Sequence, residues 1–269
     1  MILVDGQPAS MIDVADRGLA YGDGLCETMR IERGTILRWR KHLERLVHGC
    51  QRLQISLDTQ LLQSEAEDFA MRHVSGVVKL IITRGSGARG YAFSRQHPSR
   101  RILQYSQLPV WPQRNFVQGV HLFVCQTRLA LQPLLAGLKH LNRLEQVLAR
   151  AEWQDEHYAE GLMLDADGNV TDGVFSNLFF VRDGVLYTPL LDRAGVAGVM
   201  RASIIELAPQ LGMQVQQRRI TLDELSGMDE AFCCNSLYGI WPVLSVGQIN
   251  WSAGPISFRL QQKIAQQDS

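Results

Sequence analysis

A lysine, an acid and a glycine-flanked helix start are the groups in this sequence whose types and order could do chemistry together. Lys139 stands in Ala136-Gly-Leu-Lys-His-Leu-Asn-Arg143, between a glycine-containing turn and a helix, in otherwise apolar surroundings. A lysine drawn out of water loses basicity and becomes an amine able to condense with a carbonyl. Asp172 follows in Thr171-Asp-Gly-Val-Phe-Ser-Asn177-Leu-Phe-Phe180, an acid ahead of a buried strand, and then come Tyr187-Thr-Pro189 and Gly195-Val-Ala-Gly198-Val199-Met200-Arg201. The last segment reads as a helix start, whose backbone N–H groups and positive dipole end suit a phosphate. Each element by itself has an ordinary structural explanation; their order and spacing lift the set. An amine, a carboxylate and an anion hole match the aldehyde, ring nitrogen and phosphate of pyridoxal 5'-phosphate.

Competing motifs are weaker. Gly85-Ser-Gly-Ala-Arg-Gly90 has the G-x-G-x-x-G pattern of a dinucleotide loop and follows a strand, but the next residues carry no helical apolar stripe and no acid lies about 20 residues on. The better reading is a flexible loop that carries Arg84 and Arg89 beside a cleft, arginine being the side chain that grips carboxylates with two bonds. No Walker loop, H-E-x-x-H, G-x-S-x-G or cysteine-rich metal cluster is present, so no metal site is expected. Cys233 and Cys234 end an apolar strand and read as small packing groups.

The elements that must position these residues can be read from periodicity. Cys26 to Ile31 alternates, Glu32-Arg-Gly34 turns, and Thr35-Ile-Leu resumes, which predicts a hairpin. Leu43, Leu46, Val47, Cys50 and Leu53 mark one face of a helix, leaving His42 and Arg45 elsewhere on the cylinder. Val77–Thr83 and Arg101–Gln107 read as strands, and the two prolines of Leu108-Pro-Val-Trp-Pro112 place a linker. Beyond it, residues 119–127 read as a strand and 141–153 as a helix with Leu141, Leu144, Val147, Leu148 and Ala151 on its apolar face. Asp167-Gly168 and Asp183-Gly184 signal two hairpins, Gly198 opens a helix, 229–234 and 240–246 supply strands, and a polar amphipathic helix closes the chain. The expected architecture is α+β: a smaller N-terminal domain over 1–110, a linker over 111–116 and a larger C-terminal domain over 117–269.

Composition limits the function classes. With 269 residues, 46% hydrophobic and 20% charged, the chain has the make-up of a folded globular protein. Lys+Arg 27 balances Asp+Glu 27, so no net field draws it to nucleic acid or to a membrane. Five scattered cysteines without C-x-x-C spacing fit reduced thiols. The opening Met1-Ile-Leu-Val-Asp-Gly6 lacks the pattern of a signal peptide, so a cytoplasmic location is expected.

The motif order resembles that of the fold-type IV pyridoxal-phosphate enzymes, which include the branched-chain and D-amino acid aminotransferases. Lys139, Asp172, Asn177–Phe179, Thr188-Pro189 and Gly198–Arg201 fall on the family's lysine, acid, strand, turn and helix start. Within that family, residues 135–148 and 83–91 are similar to the members that split 4-amino-4-deoxychorismate into 4-aminobenzoate and pyruvate for folate biosynthesis. The resemblance implies a C-terminal domain with a β-barrel-like core, a homodimer and a small-molecule substrate. It implies that Lys139 bonds the cofactor and acts as acid and base. It places Asp172 at the ring nitrogen, and Arg45, the backbone of Val199 and Met200, and Ser236 at the phosphate. Arg89 and Arg143 become candidates for the substrate carboxylates, with Thr28 and Tyr91 as further pocket residues. Two departures stand out. Asp172 replaces the usual glutamate and is one methylene shorter, and Arg143 takes the place of the tyrosine that aminotransferases carry after the lysine. An aminotransferase on the same scaffold is the alternative; a noncatalytic ligand-binding protein that kept the fold is a third reading.

Overall fold

The computed structural model describes residues 1–95 and 97–268. The chain forms two compact units, one of Met1–Pro109 with Leu138–Asn142 and the other of Val110–Gly137 with Arg143–Ser269.

In the first unit, strands β1 (Ile2–Val4), β2 (Gln7–Pro8), β3 (Gly24–Glu32), β4 (Thr35–Ile36), β5 (Ser75–Thr83) and β6 (Arg100–Ser106) form one sheet in the order β2-β1-β6-β5-β3-β4. All its pairings are antiparallel. The predicted hairpin is present, with Ile31 opposite Ile36. Arg33 and Gly34 make the turn at φ 50° and 76°, the left-handed conformation that matches the twist of the strands. Helices α1 (Arg17–Tyr21), α2 (Trp39–Leu53) and α3 (Thr59–Met71) accompany the sheet, α2 packing on β3 and α3 on β4 and β6. Leu46 and Cys50 of α2 and Leu62, Ala66 and Phe69 of α3 are buried, as are Met29, Ile31, Leu80 and Leu103 of the sheet. Each of the larger side chains gains roughly 1.5–3 kcal/mol from leaving water.

Sequence reasoning missed α3, whose first turn is capped by the Asp58 carboxylate accepting from Leu61 N at 3.0 Å. It also misplaced His42, which is 1% exposed. Arg84 is a further correction. Its Nη1 and Nη2 donate to the carbonyls of Gln54 and Leu53, both at 2.7 Å, and its Nε and Nη2 hold Asp23 at 2.7 and 2.9 Å. The side chain therefore closes the C-terminal end of α2 and is not presented to a ligand. No helix follows Gly85–Gly90 among the described residues before β6, which excludes the dinucleotide reading.

The second unit holds β7 (Val120–Leu129), β8 (Tyr158–Asp165), β9 (Val170–Gly173), β10 (Asn177–Arg182), β11 (Val185–Pro189), β12 (Val215–Arg218), β13 (Glu230–Asn235), β14 (Gly239–Val246) and β15 (Ile249–Asn250). They form one mixed sheet, β12-β11-β10-β13-β14-β7-β8-β9, with β15 added to β14. The β11/β12, β14/β7 and β7/β8 pairs are parallel. The sheet curls until its end strand β9 packs on β10 and β11, which is the expected barrel-like core. Both Asp-Gly hairpins form, Asp183 and Gly184 turning at φ 51° and 74°. Helices α4 (Arg114–Val117), α5 (Leu144–Ala151), α6 (Val199–Gln210) and α7 (Pro255–Gln267) complete the unit with a 3-10 turn at Asp223–Gly227. Met200, Ile204 and Leu207 of α6 and Leu260 and Ile264 of α7 pack with Phe179 and Phe232, whose rings stack at 5.0 Å.

One expected face is reversed. Helix α5 starts at Leu144, not Leu141, and its apolar stripe points outward: Leu144, Val147 and Leu148 are 76%, 60% and 61% exposed, while Ala149 and Trp153 turn inward.

The Arg84 network makes the first prediction. Arg84→Ala leaves a carboxylate and two helix carbonyls short of their donors, so it should lower stability by about 3 kcal/mol, measured as a drop in the urea midpoint.

Candidate active site

The first unit presents the lysine from the edge of β3. Beyond the short β4, the start of that strand is paired with residues 139–141: Cys26 N donates to Lys139 O at 2.9 Å, Leu141 N donates to Gly24 O at 3.1 Å, and Leu25 bridges His140. This antiparallel register sets Lys139 opposite Cys26, so the half-buried lysine shares a sheet face with Cys26 and, two residues on, Thr28.

Glu27 points to the other face, toward α2. Arg45 donates to it through Nε at 2.8 Å and Nη2 at 2.5 Å, and His42 Nδ1 lies 2.6 Å from the same carboxylate. Burial alone would raise the Glu27 carboxyl, but the Arg45 charge and the hydrogen bonds from His42 and Arg45 overcome it and hold the group at about 2. Arg45 is thereby fixed in orientation by Glu27. Arg89 and Tyr91 sit on the loop after β5, both exposed, Tyr91 at 86%.

The second unit gathers the acid and the helix start. Asp172 lies on β9, 5% exposed, and accepts from Asn177 Nδ2 at 2.6 Å and Val196 N at 2.7 Å. Burial pushes its carboxyl up to about 7, although those two hydrogen bonds and the charges of Arg201 and Arg143 pull the other way. Asn177 Nδ2 also donates to Val196 O at 2.8 Å, tying the start of β10 to the 195–197 loop. Two glycines permit this closeness. A Cβ at Gly198 would lie 1.9 Å from Asn177 Oδ1, and one at Gly195 would lie 2.9 Å from Asp172 Oδ2.

Gly198 precedes α6, whose first residues Val199 and Met200 are 3% and 2% exposed. Arg201, one residue on, turns inward to Thr188 Oγ1, Pro189 O and Gln217 Oε1. Its guanidinium braces the end of β11 against β12. Arg143 occupies the N-cap position of α5. Ser236 lies half-buried in the β13–β14 turn, where Asn235 Oδ1 accepts from Leu237 N and Tyr238 N. Cys233 and Cys234 are fully buried and burial drives both thiols up, Cys233 to about 12, so they are packing groups.

Sequence reasoning missed three side chains that shape this region. Glu160, 0% exposed on β8, accepts from Val174 N at 3.0 Å, Phe175 N at 3.4 Å and Ser176 Oγ at 2.6 Å. It clasps the turn joining Asp172 to Asn177, and burial raises its carboxyl to about 7 against those hydrogen bonds. Glu27 and Arg17 are the other two. In each case the available signal was a charge inside an otherwise apolar strand or beside a glycine.

The amino-transferase class IV model matches residues 24–246. The crystal structure of 4-amino-4-deoxychorismate lyase from Pseudomonas aeruginosa is 52% identical with a TM-score of 0.97, covering 99% of this chain and 98% of that one. The aminodeoxychorismate lyase of Vibrio harveyi is 37% identical over 97% of this chain and 98% of its own length. The branched-chain aminotransferase of Escherichia coli is 24% identical with a TM-score of 0.85, covering 100% and 94%, and shares the fold. The expected fold is thus common to solved structures over almost the whole length, and the chain belongs to the amino-transferase class IV family.

Proposed function

We propose that this protein is a pyridoxal 5'-phosphate-dependent lyase that converts 4-amino-4-deoxychorismate to 4-aminobenzoate and pyruvate. The observation that carries the reading is end-to-end agreement, at 52% identity, with a structure bearing that lyase name. The donor set fits the cofactor. A carboxyl that burial drives toward protonation, as at Asp172, can give its proton to a ligand ring nitrogen, and the cationic nitrogen then pairs with the carboxylate left behind. Gly195 and Gly198 let the 195–198 backbone close on that carboxyl and its Asn177 partner.

When bound, the cofactor supplies an aldehyde that condenses with amines and a ring that accepts an electron pair. Lys139 Nζ would hold it at the aldehyde when no substrate is present. With substrate bound, a free Lys139 Nζ would take the proton from the carbon bearing the substrate nitrogen and return it to the departing enolpyruvyl group. Asp172 would face the ring nitrogen and keep it protonated. Arg45, the Val199 and Met200 amides and Ser236 hold the phosphate; Arg89 and Arg143 bind the two substrate carboxylates, with Thr28 and Tyr91 lining the pocket. The outward apolar stripe Leu144, Val147 and Leu148 supports a homodimer, since a second copy would remove that surface from water. Five buried thiols without a disulfide support a cytoplasmic site of action.

Three tests follow from these assignments. Purified protein given enzymatically generated aminodeoxychorismate should release pyruvate with no keto acid present; a strict requirement for a keto acid would make it an aminotransferase instead. Lys139→Ala should lose turnover by at least about a thousandfold together with the visible absorbance that borohydride bleaches. The third concerns pH. In cofactor-free protein the Asp172 carboxyl stands at about 7 against 3.8 when unfolded, so the folded state holds a proton that the unfolded state has released. That stabilisation is full in acid and is lost as the pH rises through about 7. Melting temperatures of the cofactor-free protein between about pH 5 and 8 should fall less steeply in Asp172→Asn than in the parent.

A further inference from the structure

The loop that follows β5 is held at its base and at its tip by different groups. At the base, Asp16 bridges Ser86, Arg17 N donates to Gly85 O at 2.9 Å, and Gly87 N donates to Ala15 O at 3.3 Å. Asp16, 0% exposed, receives Thr83 Oγ1 at 3.0 Å and Arg100 Nη1 at 2.5 Å and caps α1 through Gly18 N at 2.8 Å. At the tip, the buried guanidinium of Arg17 is divided. Its Nε donates to Asp23 Oδ2 at 3.0 Å, the carboxylate that Arg84 also holds. Its remaining nitrogens go to backbone: Nη1 to Gly90 O at 2.8 Å and Ala92 O at 3.4 Å, Nη2 to Tyr91 O at 3.3 Å. Tyr21, on the same short helix, accepts from Gly90 N at 3.2 Å and meets the Tyr91 ring at 5.6 Å.

Carbonyls of successive residues in extended backbone point to alternate sides, so drawing three of them to one planar cation closes the chain into a single turn. Gly90, at φ 104°, takes up the bend. A buried arginine used this way does little for stability that a hydrophobic side chain could not do. What it does supply is one fixed shape for the backbone on either side of Tyr91.

We propose that Arg17 is a positioning residue for substrate recognition: it sets the Gly85–Phe93 loop so that Arg89 and Tyr91 meet the substrate without first having to be ordered. This rests on the reading that those two side chains contact substrate. A loop ordered in advance spares the ordering cost at binding, so the effect falls on KM. Lysine, with one nitrogen in place of a planar fork, cannot serve Asp23 and three carbonyls together.

The test uses the cofactor-loaded enzyme. Arg17→Lys should speed hydrogen exchange of the 85–93 amides and raise KM by about tenfold while kcat changes by less than about threefold, with the cofactor absorbance unaltered. Tyr21→Phe, at an exposed side chain that leaves folding intact, should shift exchange and KM the same way by a smaller factor. Unchanged loop exchange in both variants overturns the latch. Faster exchange with unchanged KM overturns its role in recognition. Arg89→Ala, measured alongside, isolates the underlying reading: if its KM equals that of the parent, the loop does not contact substrate, whatever the exchange data say of Arg17.

Discussion

Asp172 is taken out of water and held by an amide side chain and a backbone N–H, and taking a carboxylate from water costs several kcal/mol unless its negative charge is answered. Much of the second unit's local structure serves that one group. Asn177 must begin β10 to reach it, Val196 must turn its N–H inward, and residues 195 and 198 must lack a side chain for the two segments to close. Glu160, itself buried, fixes the turn between the two strands so that the acid and its amide partner stay in register. The result is a buried acid met by neutral hydrogen-bond donors.

Electrostatic arrangements of two kinds divide the molecule. In the first unit, buried and half-buried acids are answered by arginines: Glu27 by Arg45, Asp23 by Arg84 and Arg17, Asp16 by Arg100. At Asp23 and Glu27 opposite charge and hydrogen bonds outweigh burial, and Glu27 is held far below neutrality. In the second unit, Asp172 and Glu160 are met by hydrogen bonds from neutral groups, and burial wins, lifting both to about 7. The same side-chain type is thus a permanent anion in one setting and a proton-exchanging group in the other.

Much of the fold was legible because its signals are local. Glycine-containing turns marked the hairpins at 33–34, 167–168 and 183–184, and a glycine marked the start of α6. The acid ahead of a buried strand, Asp172 before β10, was legible from the apolar run that follows it. What escaped depends on partners distant in sequence. Arg84 looks like a ligand-binding arginine until Asp23 and the carbonyls of residues 53 and 54 are brought to it. Glu160 sits in a strand that otherwise reads as core. The α5 stripe obeyed the rule for a buried helix face yet points outward, because periodicity shows that a helix has an apolar side without showing what covers it. Helix α3 was missed for the opposite reason: polar residues interrupt its apolar positions, and its burial comes from the sheet beneath it.

Residues 138–142 bear on how the protein is made. They complete the edge of β3, although the chain does not reach them until it has left the first unit and begun the second. On the ribosome, a nascent chain of 109 residues therefore has every strand of the first sheet but an uncovered edge at residues 24–26. That edge waits for a segment synthesised some thirty residues later, and Lys139 arrives at its place as part of the strip that closes it.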